Sequence, residues 1–297
     1  MTSRVWLITG TSSGLGWSFA RAALEAGNTV VATARRPEAL APLTAEFGDQ
    51  VLPLALDVTN RNQIEAVVEQ ALTALGHIDV VVNNAGFGIA GAVEETSEAQ
   101  ARALMETNFF GALSMIQTVL PHLRQQGSGH IVNLSSIAGV GANPGTGLYS
   151  AAKWALEAMS EALAGEVAPF GIKVTVVEPA RFRSQWAHGN LGQAEPIEAY
   201  DALVRARPGS LGTLRVGRGG PPPPKVVEEG DPDLAARLLV RVVDSPDPPL
   251  RLLLGNLAYD VAYAVYERRV ALWRQWEAEG RATDSPPSEA TAPIRNL

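Results

Sequence analysis

Tyr149 and Lys153 are the two residues whose types and spacing most directly suggest chemistry. They lie four apart in Tyr149-Ser150-Ala151-Ala152-Lys153, inside an Ala- and Leu-rich run that reaches Ala168. Such a run favours a helix, and residues four apart on a helix share a face. A free phenol titrates near a pKa of about 10 and is a poor acid or base at neutral pH. A nearby ammonium favours the phenolate and should lower that value. The pair therefore suits proton transfer to or from a carbonyl or alcohol oxygen. An isolated Tyr-x-x-x-Lys is more often an ordinary helix with a surface lysine. Lysine is scarce in this chain, however, at Lys153, Lys173 and Lys225, and other motifs supply the partners such a pair needs.

The elements that would position the pair begin with an apolar run at residues 4–9. It leads into Thr9-Gly10-Thr11-Ser12-Ser13-Gly14-Leu15-Gly16, then Phe19, Ala20, Ala23 and Leu24 at helical spacing. That is strand, glycine turn, helix. Glycines let the backbone approach a phosphate, and a helix N-terminus offers free N–H groups and a positive dipole end. Residues 29–34 form a second strand. An acid at its end would suit the ribose hydroxyls of NAD, whereas an arginine accommodates a 2′-phosphate. The chain reads Ala34-Arg35-Arg36 there, with no acid. The expected cofactor is therefore NADP(H), with Arg35 as the main phosphate contact and Ser12 or Arg36 as helpers.

Residues 51–58 make a third strand that ends at Asp57 and Val58. This is the carboxyl edge, where ligands bind in such folds. Asp57 could accept from an adenine amino group; the bland alternative is a helix cap or turn before Asn60. A fourth strand at 78–82 runs into Asn83-Asn84-Ala85-Gly86, whose residue types lock turns and leave room for a ribose. Ser97 and Gln100 resemble a capping box for a long helix towards Leu123. Asn108 sits within that helix, where asparagine is unfavourable, which hints at a buried polar task. A fifth strand at 130–134 ends in Ser135-Ser136-Ile137-Ala138-Gly139. A sixth, at 172–177, ends in Glu178-Pro179-Ala180-Arg181-Phe182-Arg183-Ser184.

Residues 185–230 are irregular, as expected of a lid, with a short helix at 196–207 and a stiff Pro221 to Pro224 run. Asp231-Pro232 reads as a helix start. A seventh strand at 251–254 and a helix at 256–276 follow. The Pro-, Ser-, Thr- and Glu-rich tail at 281–297 is expected to be disordered. Strands alternating with helices imply an α/β, doubly wound parallel sheet with about seven strands, a Rossmann fold in one domain spanning residues 1–280.

Composition narrows the function. The 297 residues are 46% hydrophobic, enough for one large core. The net charge of −7 argues against nucleic-acid binding. Cysteine is absent, which excludes disulfides and cysteine-ligated metals. The histidines His77, His122, His130 and His188 lack metal-ligand spacing, so no metal is expected. No apolar run is long enough to span a membrane. The default expectation is a soluble, cytoplasmic protein.

Taken in order, Thr9-Gly10-x-x-x-Gly14-x-Gly16, Asp57, Asn83-Asn84-Ala85-Gly86, Asn108, Ser136, Tyr149-x-x-x-Lys153 and Pro179 resemble the short-chain dehydrogenase/reductase family of the single-domain Tyr/Lys type. Residues 34–36, 230–232 and 248–251 further resemble its hydroxysteroid- and retinol-dehydrogenase-like branch. The resemblance implies Tyr149 as general acid or base, Lys153 lowering its pKa and holding the nicotinamide ribose, and Ser136 bonding the substrate oxygen. Asn108 would support a water chain to Lys153. Ser13, Gly14, Leu15 and Gly16 would carry the pyrophosphate, beside Gly10, Asn84, Ala85, Gly86 and Pro179, while Phe182 and Ser184 would flank the nicotinamide amide. Ala180 stands where the family usually has glycine, and Ser184 where it often has threonine. Phe87, Ile137, Asn143, Trp186 and His188 are the expected substrate pocket.

These features imply an NADP(H)-dependent enzyme acting on an apolar ketone or secondary alcohol. An NAD(H)-dependent dehydrogenase of the same fold, or a non-catalytic dinucleotide sensor, are the alternatives. The resemblance also implies a homodimer or homotetramer paired through the two long helices.

Overall fold

The computed structural model describes residues 3–183, 191–201 and 229–284. Strand β1 (Val5–Ile8) is buried along its whole length. Val5 and Leu7 point into one apolar layer, and Trp6 and Ile8 into another. A strand covered on both faces must be apolar throughout, and this one is. Around it lie β2 (Thr29–Ala34), β3 (Val51–Ala55), β4 (Val80–Asn83), β6 (Gly129–Leu134), β7 (Ile172–Pro179) and β9 (Arg251–Leu254). They form one parallel sheet in the order β3-β2-β1-β4-β6-β7-β9. Leu7 is in register with Val31 on one side and Val81 on the other. The chain works outward from β1 to β3, then returns to β4 beside β1. That reversal puts the topological switch point at the carboxyl ends of β1 and β4, the usual ligand position in such sheets.

Helices cover both faces. α1 (Gly14–Glu25) lies on one face with a late helix, Pro232–Asp244; Phe19 and Leu239 meet there. α2 (Ala41–Phe47) adds Leu43 to the same layer. On the other face α3 (Arg61–Leu75) contributes Val68, α5 (Gly111–Gln126) contributes Val119, and α7 (Gly147–Val167) contributes Leu163. Each fully buried side chain of this size stabilises by about 1.5–3 kcal/mol, so these two layers carry most of the fold. Among the described residues the other α-helices are α4 (Glu98–Met105), α6 (Ile137–Val140), α8 (Pro232–Asp244, named above), α9 (Asn256–Gln275) and a short Glu277–Arg281 segment.

The expected caps are present. Ser97 and Gln100 form both halves of a capping box. The Asp231 carboxylate accepts from the N–H groups of Asp233 and Leu234, with Pro232 at the first helical position.

Several expectations change. The helix from Ser97 is not continuous: a π-helical turn, Glu106–Phe110, separates α4 from α5. The third strand stops at Ala55 rather than residue 58, because the Asp57 carboxylate accepts from Thr59 N and Oγ1 and bends the chain. A second, two-stranded parallel sheet pairs β5 (Gly88–Ala90) with β8 (Leu191–Gln193). Three residues per strand are too few for an alternating pattern to show. Of the expected 196–207 helix, the described part is a 3₁₀ turn, Glu198–Tyr200, followed by a helical Asp201. The Pro221 to Pro224 run and residues 285–297 lie outside the described residues.

Candidate active site

The glycine turn follows β1 at the sheet's switch point. Gly10 and Gly14 have φ of 70° and 62°, a region that favours glycine. Gly16 is required for a different reason. A Cβ there would lie 2.3 Å from Asn84 Nδ2 and 2.4 Å from the Gly10 carbonyl. Asn84 Nδ2 donates to the Thr9 and Gly10 carbonyls at 2.8 and 3.0 Å. Thr9 Oγ1 accepts from the N–H groups of Asn84 and Ala85. The turn after β1 and the turn after β4 are thus sewn together. Ser13 caps α1 without spending its hydroxyl on the first-turn N–H groups. Leu15 is half-buried, Ser12 exposed.

Arg35 and Arg36 are exposed beyond β2, and neither makes an ion pair among the described residues. Asp57 is half-buried beyond β3. Val58 is buried and would touch any Cβ placed on Gly111, at 2.9 Å.

Five predicted residues, Gly86, Asn108, Ser136, Tyr149 and Lys153, converge beyond β4 and β6. Asn108 is 2% exposed in the π-helical turn. Its Oδ1 accepts from Phe87 N at 3.0 Å and its Nδ2 donates to Phe87 O at 2.8 Å. π-helical turns often mark functional sites; this one explains why an asparagine is tolerated mid-helix. Gly86 lies between Asn108 and Lys153: a Cβ there would stand 2.7 Å from Asn108 Oδ1 and 3.6 Å from Lys153 Nζ. Lys153 Nζ donates to the carbonyl of Leu134, the last residue of β6, at 2.7 Å. It lies 5.8 Å from the centre of the Tyr149 ring. Ser136 caps α6, its hydroxyl accepting from Ala138 N at 3.1 Å and hydrogen-bonding the Tyr149 phenol.

Burial dominates the electrostatics here. It pushes the Tyr149 phenol up to about 12, and the Ser136 hydrogen bond works the other way. Removing an anion from water is costly. Lys153 itself is lowered to about 8 by burial, with Glu157 opposing.

Other predicted residues scatter around this centre. Pro179 is buried at the end of β7, paired with Leu254. The Phe182 ring packs against Gly230, where a Cβ would lie 2.5 Å from it. Phe87 and Leu148 pack on an apolar cluster of Ile89, Leu104, Ala138, Tyr149 and Ala194. Ile137 is half-buried at the start of α6, and Asn143 is exposed. Ser184, Trp186 and His188 lie outside the described residues. His130 is buried and bonds Thr175 Oγ1 at 2.9 Å; burial, with Lys173 and Arg4, lowers its pKa to about 4. Among the described residues no cluster of three His, Asp or Glu side chains could hold a metal. No described helix is long and apolar enough to cross a membrane.

Sequence reasoning missed Thr9, whose fastening role is set by strands far apart in the chain. It also missed Glu157, which stands four residues after Lys153 and so at a spacing that could have been noticed.

A parallel sheet of this order, with a glycine turn at its switch point, is a Rossmann-like dinucleotide fold. The family model described as short chain dehydrogenase matches residues 4–193. The chain is 41% identical over 275 residues to the oxidoreductase BOA17 of Botryotinia fuckeliana, covering 92% of this chain and 97% of that one. It is 44% identical over 184 residues to a Bacteroides thetaiotaomicron protein named 3-ketodihydrosphingosine reductase, covering 62% of this chain and 66% of the relative. A solved short-chain dehydrogenase from Streptomyces avermitilis shares the fold with a TM-score of 0.86 at 41% identity, over 95% of this chain and 99% of that one. The chain belongs to the short-chain dehydrogenase family, oxidoreductases that use an NAD(P) nucleotide.

Proposed function

We propose that this oxidoreductase is NADP(H)-dependent and interconverts an apolar ketone and its secondary alcohol, with Tyr149 as general acid and base. The observation that carries the reading is the convergence of Ser136 and Lys153 on the buried Tyr149 phenol. Bound cofactor supplies or accepts the hydride. The residues fit it: Gly10, Gly14 and Gly16 clear space for a pyrophosphate, Ser13 and the first turn of α1 offer donors, and Arg35 offers an exposed positive charge for a 2′-phosphate. Lys153, Asn84 and Gly86 would border the nicotinamide ribose.

In reduction the Tyr149 O–H donates its proton to the substrate oxygen as negative charge develops there. A phenol held at about 12 is fully protonated at neutral pH, ready as the acid. Ser136 orients that oxygen and donates to the phenolate left behind. The ammonium of Lys153 stabilises the same phenolate. In oxidation the proton runs the other way.

The apolar cluster beside Tyr149, with Phe87 and Leu148 on its edge, supports an apolar substrate. The relative named 3-ketodihydrosphingosine reductase is consistent with a keto substrate. Placement in the hydroxysteroid- and retinol-dehydrogenase-like branch, and pairing through α4–α5 and α7 as a dimer or tetramer, belong to the same reading. Sedimentation velocity tests the pairing.

The test is NADPH oxidation, with NADH in parallel, against steroid, retinoid, aryl and aliphatic carbonyls. Turnover should appear with one chemical class and disappear in Tyr149→Phe, while cofactor binding persists. Activity retained in that variant would sink the mechanism.

A further inference from the structure

Lys153 takes its charge deep into the protein, where only 4% of it is exposed. An ammonium stranded at such depth tends to give up its proton. One helical turn further along α7 is Glu157, itself only 5% exposed. Both of its carboxylate oxygens are fastened. Ser135 Oγ donates to Oε1 at 2.5 Å, and Arg251 Nη1 donates to Oε2 at 2.8 Å. Gly139 leaves the room for this contact: a Cβ there would fall 1.9 Å from Oε1 and 2.6 Å from Ser135 Oγ.

Each element packed around the carboxylate contributes. The turn after β6 supplies Ser135, next to Leu134, whose carbonyl holds Lys153 Nζ. β7 supplies Glu178, which takes the same Arg251 Nη1 at 2.6 Å. β9 supplies Arg251. α7 supplies Glu161, exposed, which takes Arg251 Nη2 at 2.7 Å, and Tyr149 two turns before Glu157. Arg251 thus neutralises part of a cluster of three glutamates, and Glu157 is the member nearest in sequence to Lys153. The charge of Glu157 favours the ammonium form of Lys153, against burial.

We propose that Glu157 is a positioning residue of this site: clamped between Ser135 and Arg251, its carboxylate is the buried counter-charge that keeps Lys153 an ammonium. The proposal rests on the reading of Lys153 as the partner of Tyr149. A clamp that served only to tie β9 to α7 would need the shape of Glu157 and its bond to Arg251. It would not need the charge to be felt by Lys153.

The chain has three lysines, Lys153, Lys173 and Lys225, so the full-length protein can be labelled at lysine 13Cε and titrated by NMR. Lys153→Met assigns the resonance. In the wild type Lys153 should titrate near 8. Glu157→Gln, which keeps the shape, should lower that value by about one unit or more and leave Lys173 in place. Glu161→Gln removes an exposed carboxylate from the same arginine and should move Lys153 by less than about 0.3 unit.

Turnover supplies the second readout. The alkaline limb of kcat/KM should move to lower pH in Glu157→Gln, a loss of about tenfold at high pH with little change at low pH. A Lys153 titration unmoved by Glu157→Gln overturns the proposal, as does an equal loss at every pH. If that variant does not fold, the wild-type titration still decides, because a Lys153 value below about 7 shows that no counter-charge sustains it. The NMR titration needs no substrate, so it stands even where the proposed activity fails, and the two failures are distinct.

Discussion

The side chain of Asn84 occupies the space that a Cβ on Gly16 would need, with Nδ2 only 2.3 Å from that point. Asn84 cannot simply swing away, because the same Nδ2 holds the carbonyls of Thr9 and Gly10. Gly16→Ala should therefore disturb both turns at once. Overpacking of this kind costs about 1–3 kcal/mol. We expect a lower urea midpoint and NADPH affinity reduced by about tenfold or more, measured by fluorescence titration. A variant that binds as tightly as wild type would show the two turns to be independent.

Arg35 is exposed beyond β2, and its replacement breaks no ion pair among the described residues. A charge-assisted bond to a 2′-phosphate is worth about 1.5–3 kcal/mol. Arg35→Ala should raise KM for NADPH by about 10–100-fold and change KM for NADH by less than about threefold. Equal effects on both cofactors would remove the argument for NADP(H).

Asn108→Ala would leave the Phe87 N–H and carbonyl without their side-chain partner. Unpaired buried backbone groups cost about 1–3 kcal/mol. The chain beside Gly86 and Lys153 would loosen with them. We expect kcat to fall more than the affinity for cofactor, with stability reduced by that amount. An unchanged kcat would confine Asn108 to a purely structural role.

Glu178 gives a pH-dependent stability. Burial raises its carboxyl from 4.5 to about 7, and the neighbouring Glu157 adds to this while Arg251 opposes. Between those values the folded protein holds a proton that the unfolded chain has released. The contribution of this group to stability is thus present below 4.5 and lost as pH rises towards 7. Glu178→Gln removes the titration. Its stability relative to wild type should improve between pH 5 and pH 7.5 by on the order of 2 kcal/mol. Urea unfolding at the two pH values checks this; a constant difference would mean that Glu178 is ionised throughout.

The sheet was legible because β1, β2, β4 and β7 are covered on both faces and must be apolar runs. The candidate site was legible because Tyr149 and Lys153 are one helical turn apart, and a local spacing survives in sequence. What was not legible depends on contacts between distant residues. The burial of Asn108 could be anticipated from an asparagine inside a helix, but the π-helical turn that carries it and its pairing with Phe87 could not. The phenol's raised pKa follows from burial by Phe87, Ile89 and Leu104, which no local pattern reveals. The β5–β8 sheet joins stretches about a hundred residues apart through three residues each, and residues 185–230 carry no periodicity to read.

That small sheet has a practical consequence. Glu95 is buried, and its two oxygens accept from Ala92 N and from Ile197 N. Gly91 leaves space for Ala194, whose Cβ would lie 2.5 Å from one added there. A single carboxylate and a single missing methyl group therefore splice residues 88–97 to residues 191–201. Anyone recombining this chain with a relative should treat the two stretches as one exchangeable block. A crossover placed between them would inherit each half of the joint from a different parent.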